Sequence, residues 1–186
     1  ANDDGLAREL QGGLQSDTDF SPEGNLYPFG THVAVVEIDT ETGAVEIVRY
    51  LTVDDCGVVI NSLLVEGQLH GGIAQGIGQA LYEASRYDES GNLISGSLLD
   101  YALPRAVNLP NFETSRTETP SPLNPMGVKG IGEAGTIGAT PAVANAVMDA
   151  LSFLGVRHLD MPLTAEKLWR VLQEADTHDR DQFRQA

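Results

Sequence analysis

His32-Val-Ala-Val-Val-Glu-Ile-Asp39 and Ala44-Val-Glu-Ile-Val-Arg-Tyr-Leu51, joined by Thr40-Glu-Thr-Gly43, decide the fold class. Both runs are rich in β-branched residues and alternate apolar with polar, the period of a strand with one buried face. The short, glycine-ended connection makes them a β-hairpin. The second strand extends in pattern through Thr52-Val53 to the corner Asp54-Asp55-Cys56-Gly57. Upstream, residues 1–30 are rich in Gly, Asp, Gln, Ser and Pro and show no periodicity, so they are expected to be an irregular arm or linker.

Downstream the period changes. In Gly67-Gln-Leu-His-Gly-Gly-Ile-Ala-Gln-Gly-Ile-Gly-Gln-Ala-Leu-Tyr82, the residues Leu69, Ile73, Ile77 and Leu81 stand four apart, which is one face of a helix. Each glycine inside a helix costs roughly 1 kcal/mol against alanine, so a helix carrying five of them must recover that through close packing. A neighbouring backbone or a bound ligand are the two candidates for what lies so close. Tyr87 to Ile94 reads as two short strands about a turn at Ser90-Gly91-Asn92, and Phe112 to Glu118 as one more strand. A small-residue run from Ala139 reads as the start of a helix, with Thr140-Pro141 in its first turn and its apolar face on Val143, Val147 and Leu151. Thr164 caps a shorter last helix through Leu168, Trp169 and Leu172. The sum is an α+β domain over residues 31–175, with antiparallel strands, three or four helices and a charged tail over 176–186.

The most unusual composition lies between the strands and the late helices. Gly127-Val-Lys-Gly-Ile-Gly-Glu-Ala-Gly-Thr-Ile-Gly138 holds five glycines in twelve residues, with one cation, Lys129, and one anion, Glu133. Glycine at this density lets a backbone come close to something. Gly130-Ile-Gly-Glu-Ala-Gly135 spells the dinucleotide fingerprint, but that motif needs a buried strand directly before it. Ser121-Pro-Leu-Asn-Pro125 stands there instead, which no central strand tolerates. What survives is a glycine loop feeding a helix start, a good anion site, and an acid aimed from it.

Charge and composition exclude several classes. Eleven Lys and Arg against 27 Asp and Glu leave −16, which opposes non-specific binding to nucleic acid or anionic membranes. No apolar run is long enough to span a bilayer, and the first residues do not form a secretory signal. The single cysteine, Cys56, excludes an internal disulfide, and the four histidines have no ligand spacing. A cytoplasmic setting is expected, and no metal held by this chain's own side chains. Gln68, Gln75 and Gln79 line the glycine helix, where an amide can both donate to and accept from a polar heterocycle.

Three stretches in register resemble one family: Asp55-Cys-Gly-Val-Val-Ile-Asn61, Glu66-Gly-Gln-Leu-His-Gly-Gly-Ile-Ala-Gln-Gly-Ile-Gly-Gln-Ala-Leu81 and Gly127-Val-Lys-Gly-Ile-Gly-Glu-Ala-Gly135. They resemble the large subunits of the molybdenum hydroxylases (xanthine dehydrogenase, aldehyde oxidase and aerobic carbon monoxide dehydrogenase). The resemblance covers roughly residues 28 to 175 and corresponds to the C-terminal, second molybdenum-cofactor-binding part of a longer subunit. It implies molybdopterin cytosine dinucleotide with Mo as cofactor, FAD and iron–sulfur clusters of the 2Fe-2S type on partner subunits, and a small substrate: an aldehyde, an N-heterocycle or a CO-like molecule. By resemblance Glu133 is the general base beside the molybdenum, Gln68 hydrogen-bonds the pterin, Lys129 and Gly130 belong to the loop near the cofactor, and Asn61 lies near the dinucleotide. The cysteine loop that marks true carbon monoxide dehydrogenases has no counterpart here, and Cys56 lies in a different motif. The competing reading is a non-catalytic orphan or assembly module that keeps the fold without binding cofactor alone.

Overall fold

The hairpin is present and longer than its pattern. In the computed structural model, which describes residues 17–21 and 23–185 with side chains as far as residue 175, β1 spans Phe29–Ile38 and β2 spans Val45–Asp55. They pair antiparallel, Val33 opposite Leu51 and Ala34 opposite Tyr50, with an irregularity between Val35 and Val36. Asp39 builds the turn: its carboxylate accepts from the N–H groups of Glu41 (2.8 Å) and Thr42 (3.1 Å), and its carbonyl accepts from Gly43 (2.7 Å). An aspartate that mimics a backbone turn in this way is why the connection can be so short. Most of the residues 1–30 expected to form an arm lie outside the described residues; those from 23 to 28 carry no helix or strand.

The third strand, β3 (Phe112–Thr117), adds to β2 in parallel, Tyr50 opposite Phe112 and Asp55 opposite Thr117. An all-antiparallel set was expected. Alternation in a sequence reports a strand's faces and not its direction, and a parallel neighbour needs a long crossover. The crossover here contains helix α1 (Ser62–Leu81) and the loop after it. The two short strands expected about Ser90-Gly91-Asn92 reduce to one bridge, Tyr87 with Leu93. The turn itself forms, because the Asp88 carboxylate accepts from Ser90 N–H (2.9 Å) and Asn92 N–H (2.8 Å).

The four-apart residues of α1 are buried, Ile73 and Ile77 completely. Ile73, Ile77 and Leu81 meet Tyr50, Val143, Val147, Leu151 and Leu168 in the main core, and Leu69 packs with Cys56 and Val65 in a smaller cluster. The glycines divide by what a side chain there would meet, and one on Gly78 would run into Glu83 and Pro104. A Cβ on Gly72 would lie 2.9 Å from Thr136 N, and one on Gly76 2.6 Å from Ala139 Cβ. These two positions let α1 and α2 (Ala134–Ala150) touch backbone to backbone. On the other face, Gly67 and Gly71 meet nothing within 4 Å.

Helix α2 begins five residues before the expected Ala139, so Pro141 sits inside it and not in its first turn. Proline there leaves a carbonyl without its helical donor. Packing against α1 overrides that cost: Gly135 lies on Gly72 and Ile73, and the Thr140 hydroxyl bonds the Thr136 carbonyl (3.2 Å). The last helix, α3 (Ala165–Gln185), starts as expected, with Thr164 Oγ1 accepting from Lys167 N–H at 3.3 Å, but at 21 residues it is not the shorter helix expected and runs on through the stretch read as a charged tail. Among the described residues no helix is long and apolar enough to cross a membrane.

Candidate functional site

The glycine loop is docked against the corner that ends β2. Gly57 and Val128 form an antiparallel bridge; Lys129 N–H donates to the Cys56 carbonyl (2.7 Å) and Val58 N–H to the Gly127 carbonyl (3.0 Å). Gly57 and Gly127 both take φ of +68°. A Cβ on Gly57 would stand 2.2 Å from the Gly127 carbonyl oxygen, so only glycine closes this contact. Upstream, Asn124 ties the proline-bounded segment together, accepting from Met126 and Val128 N–H (both 3.1 Å) and donating to the Val128 carbonyl (2.9 Å).

Beneath the loop lies Asp55, with no exposed surface. Its carboxylate accepts from Gly57 N–H (2.9 Å), Lys129 Nζ (3.1 Å) and Thr117 Oγ1 (3.0 Å). Burial alone would raise its pKa. The Gly57 N–H, the Thr119 hydroxyl, Lys129 and Thr117 outweigh burial and hold it well below the ordinary carboxylate range. The Lys129 ammonium also stands over the Phe29 ring, 4.5 Å from its centre. Lys129 thus has partners within the chain, and its side chain is only 10 % exposed.

From Lys129 the loop runs outward. Gly130 meets nothing within 4 Å, and a Cβ on Gly132 would be 3.8 Å from Gln68 Oε1. Glu133 occupies the N-cap position of α2, yet its side chain makes no capping bond and is exposed. The structure therefore sets the exposed Gln68 beside Gly132, next in sequence to the exposed Glu133, while Lys129 earlier in the same loop turns inward to Asp55. Asn61 opens α1 about two turns before Gln68. Its Oδ1 accepts from Leu64 N–H at 3.1 Å, an N-cap that is itself sufficient reason for asparagine there. Gln75 and Gln79 are engaged differently from Gln68, since their amides meet the hydroxyls of Thr136 (3.1 Å) and Thr140 (3.2 Å) and clamp the two helices.

Sequence reasoning missed two buried polar groups. One is Asp55, whose partners come from β3 and from a loop more than seventy positions away. The other is a chain across the inner face of the sheet: Tyr50 Oη to His32 Nδ1 (2.7 Å), His32 Nε2 to Asp54 (3.3 Å), and Asp54 to the Thr52 hydroxyl. Burial first, and the Asp54 charge second, push the Tyr50 phenol well above its ordinary range. Gly138 of α2 lies on this chain, where a Cβ would be 2.5 Å from His32 Cδ2. The sequence signal was a polar residue at each inward position, Thr52 and Asp54, of a stretch read only as the continuation of the second strand to its corner. A cleft of about 630 Å³ lies toward the other end of β2, lined by Val45, Ile47, Arg49, Tyr82, Leu109 and Glu113, and takes no part in this surface.

Residues 7–110 match the family described as molybdopterin cofactor-binding domain. The chain is 42 % identical over 165 residues to the carbon monoxide dehydrogenase large chain of Hydrogenophaga pseudoflava, covering 89 % of this chain and 20 % of that one. It is 47 % identical over 145 residues to the nicotine 6-hydroxylase large subunit of Paenarthrobacter nicotinovorans, 78 % of this chain and 18 % of that one. Among solved structures, the Cu,Mo-CO dehydrogenase in its carbon monoxide reduced state superposes with a TM-score of 0.82 at 42 % identity, over 86 % of this chain and 20 % of that one. The chain thus spans about a fifth of the length of these relatives. A match over more than half the chain, with the fold and the three motifs in register, shows that it belongs to the molybdopterin cofactor-binding domain family of molybdenum-dependent oxidoreductases.

Proposed function

We propose that this chain forms one wall of a molybdopterin cytosine dinucleotide site in the large subunit of a molybdenum hydroxylase, and that Glu133 is its general base. The observation that carries this is the convergence of the Gln68 amide with the Gly130–Glu133 loop at the start of α2. The residues suit the group. Gly67, Gly71 and Gly130 leave bare backbone on the open side, so a flat, polar ring system can approach without meeting a side chain. Gln68 offers both a donor and an acceptor to a pterin edge. Gly130 gives room, and Asn61 stands at the start of the helix that carries Gln68. When bound, the molybdenum group would supply oxygen-atom transfer and accept the reducing equivalents, with iron–sulfur and FAD partner subunits as their outlet. This chain's own contribution to the chemistry is a proton acceptor at the Glu133 carboxylate, brought to the substrate side by a loop without competing side chains.

The wall is one-sided, and this agrees with the share of the relatives' length that the chain spans. The rest of the large subunit closes the cleft over Glu133 and supplies the pocket that selects an aldehyde, an N-heterocycle or a CO-like substrate. The alternative, an assembly module without cofactor, draws on the exposure of Glu133. One experiment separates the two. The chain is co-expressed with the remainder of a large subunit and its partner subunits, and molybdenum, cytosine nucleotide and hydroxylation are measured. Glu133→Gln is expected to retain both cofactor components and to lose turnover by about 10²–10⁴, the usual worth of a general base. Near-normal turnover of that variant overturns the base assignment, and a complex without cytosine nucleotide favours the assembly module.

A further inference from the structure

Resting on the reading of Glu133 as the base, we propose that Asp55 is the positioning residue for it, acting through Lys129. Lys129 then serves as a strut inside the chain and not as a ligand of the cofactor. The loop carrying Glu133 is anchored at two places. At its far end α2 is locked on α1 by the contacts of Gly135 with Gly72 and Ile73. At its near end are the backbone bonds from Lys129 to Cys56 and from Val58 to Gly127, together with the Asp55–Lys129 pair. Between these anchors Gly130 and Gly132 bring no side chains, and Ile131 rests against the small cluster of Cys56, Val65 and Leu69. The position of Glu133 is therefore set by where the anchors stand and by the seat of Ile131 between them.

Asp55 is built for that task. It is fully buried, and it joins three separate pieces of chain through one carboxylate: the corner at Gly57, the end of β3 at Thr117, and the loop at Lys129. Lys129 faces inward, between this carboxylate and the Phe29 ring, with little of its side chain exposed. A lysine held by a buried aspartate at one end of a glycine span cannot move without moving the span. Misplacing a reacting group by about 1 Å costs on the order of 10²-fold in rate.

The test uses the assembled holoenzyme and four variants beside Glu133→Gln. Asp55→Asn/Lys129→Met replaces the ion pair by a neutral one, so it leaves no unpaired buried charge, whereas Lys129→Met and Asp55→Asn each break one side. The neutral double variant is expected to keep molybdenum and cytosine nucleotide at wild-type stoichiometry and KM within about twofold, while kcat falls by about 10- to 100-fold. Lys129→Arg, which keeps the charge on the strut, is expected to recover most of kcat. A double variant with wild-type kcat overturns the proposal, since the pair would then hold only the fold. Loss of cytosine nucleotide from Lys129→Met, with full nucleotide in Asp55→Asn, also overturns it, because Lys129 would then touch the cofactor. If Glu133→Gln turns over normally, the base assignment fails as well; if it is inactive while the double variant is normal, only the positioning role fails.

Discussion

Asp55 shows how a single carboxylate can be both invisible in the sequence and central in the structure. Because its folded pKa lies below the ordinary value of about 3.9, its contribution to stability is fully present above that pH and is lost as pH falls through the folded value. The wild-type chain is therefore expected to lose stability below about pH 4 more steeply than Asp55→Asn, as read from urea midpoints between pH 7 and 3. Two glycines of opposite surroundings make a second contrast. Gly57→Ala puts a side chain at positive φ and against the Gly127 carbonyl, at an expected cost of at least about 1–3 kcal/mol. Gly130→Ala meets nothing, so its unfolding midpoint should stay within about 0.5 kcal/mol of wild type. If the proposed cofactor surface is right, the same variant lowers cytosine nucleotide content in the assembled enzyme.

At the level of elements, the glycines of α1 serve different ends. Gly72 and Gly76 exist for α2; Gly67 and Gly71 face away from every described neighbour. Alanine at Gly71 should stabilise the chain by up to about 1 kcal/mol through helix propensity alone. Alanine at Gly76 should destabilise it by about 1–3 kcal/mol, because its methyl overlaps Ala139 and the helices must part. Chemical denaturation of the two variants decides the matter; equal effects would mean that helix contact does not explain the glycines. The repeated four-residue spacing announced this helix, but it could not say which glycines pack on protein and which stay open. That division depends on where α2 lies.

For the molecule as a whole, the two faces of the sheet differ. Tyr50, Thr52 and Asp54 are buried under the helices, while Val33, Val35 and Val53 on the opposite face remain 50 %, 45 % and 43 % exposed. If the proposed large subunit is right, this half-exposed row of valines is where its remainder would pack. Val33→Glu/Val53→Glu should leave the unfolding midpoint within about 1 kcal/mol of wild type yet abolish co-purification with the remaining large-subunit portion. Intact co-purification would place the seam elsewhere.

The sequence by itself determined whatever depends on neighbours along the chain. The β-branched alternation and Asp39 made the hairpin, the four-residue spacing made α1, Thr164 capped α3, and the three motifs in register identified the family. Tertiary structure alone decided the parallel entry of β3, the early start of α2 with Pro141 inside it, and the burial of Asp55 beneath Lys129. The reason is physical: strand direction, helix ends that oppose local propensity and the partners of a buried charge are set by groups distant in sequence, whose free energies appear only once the chain has brought them together.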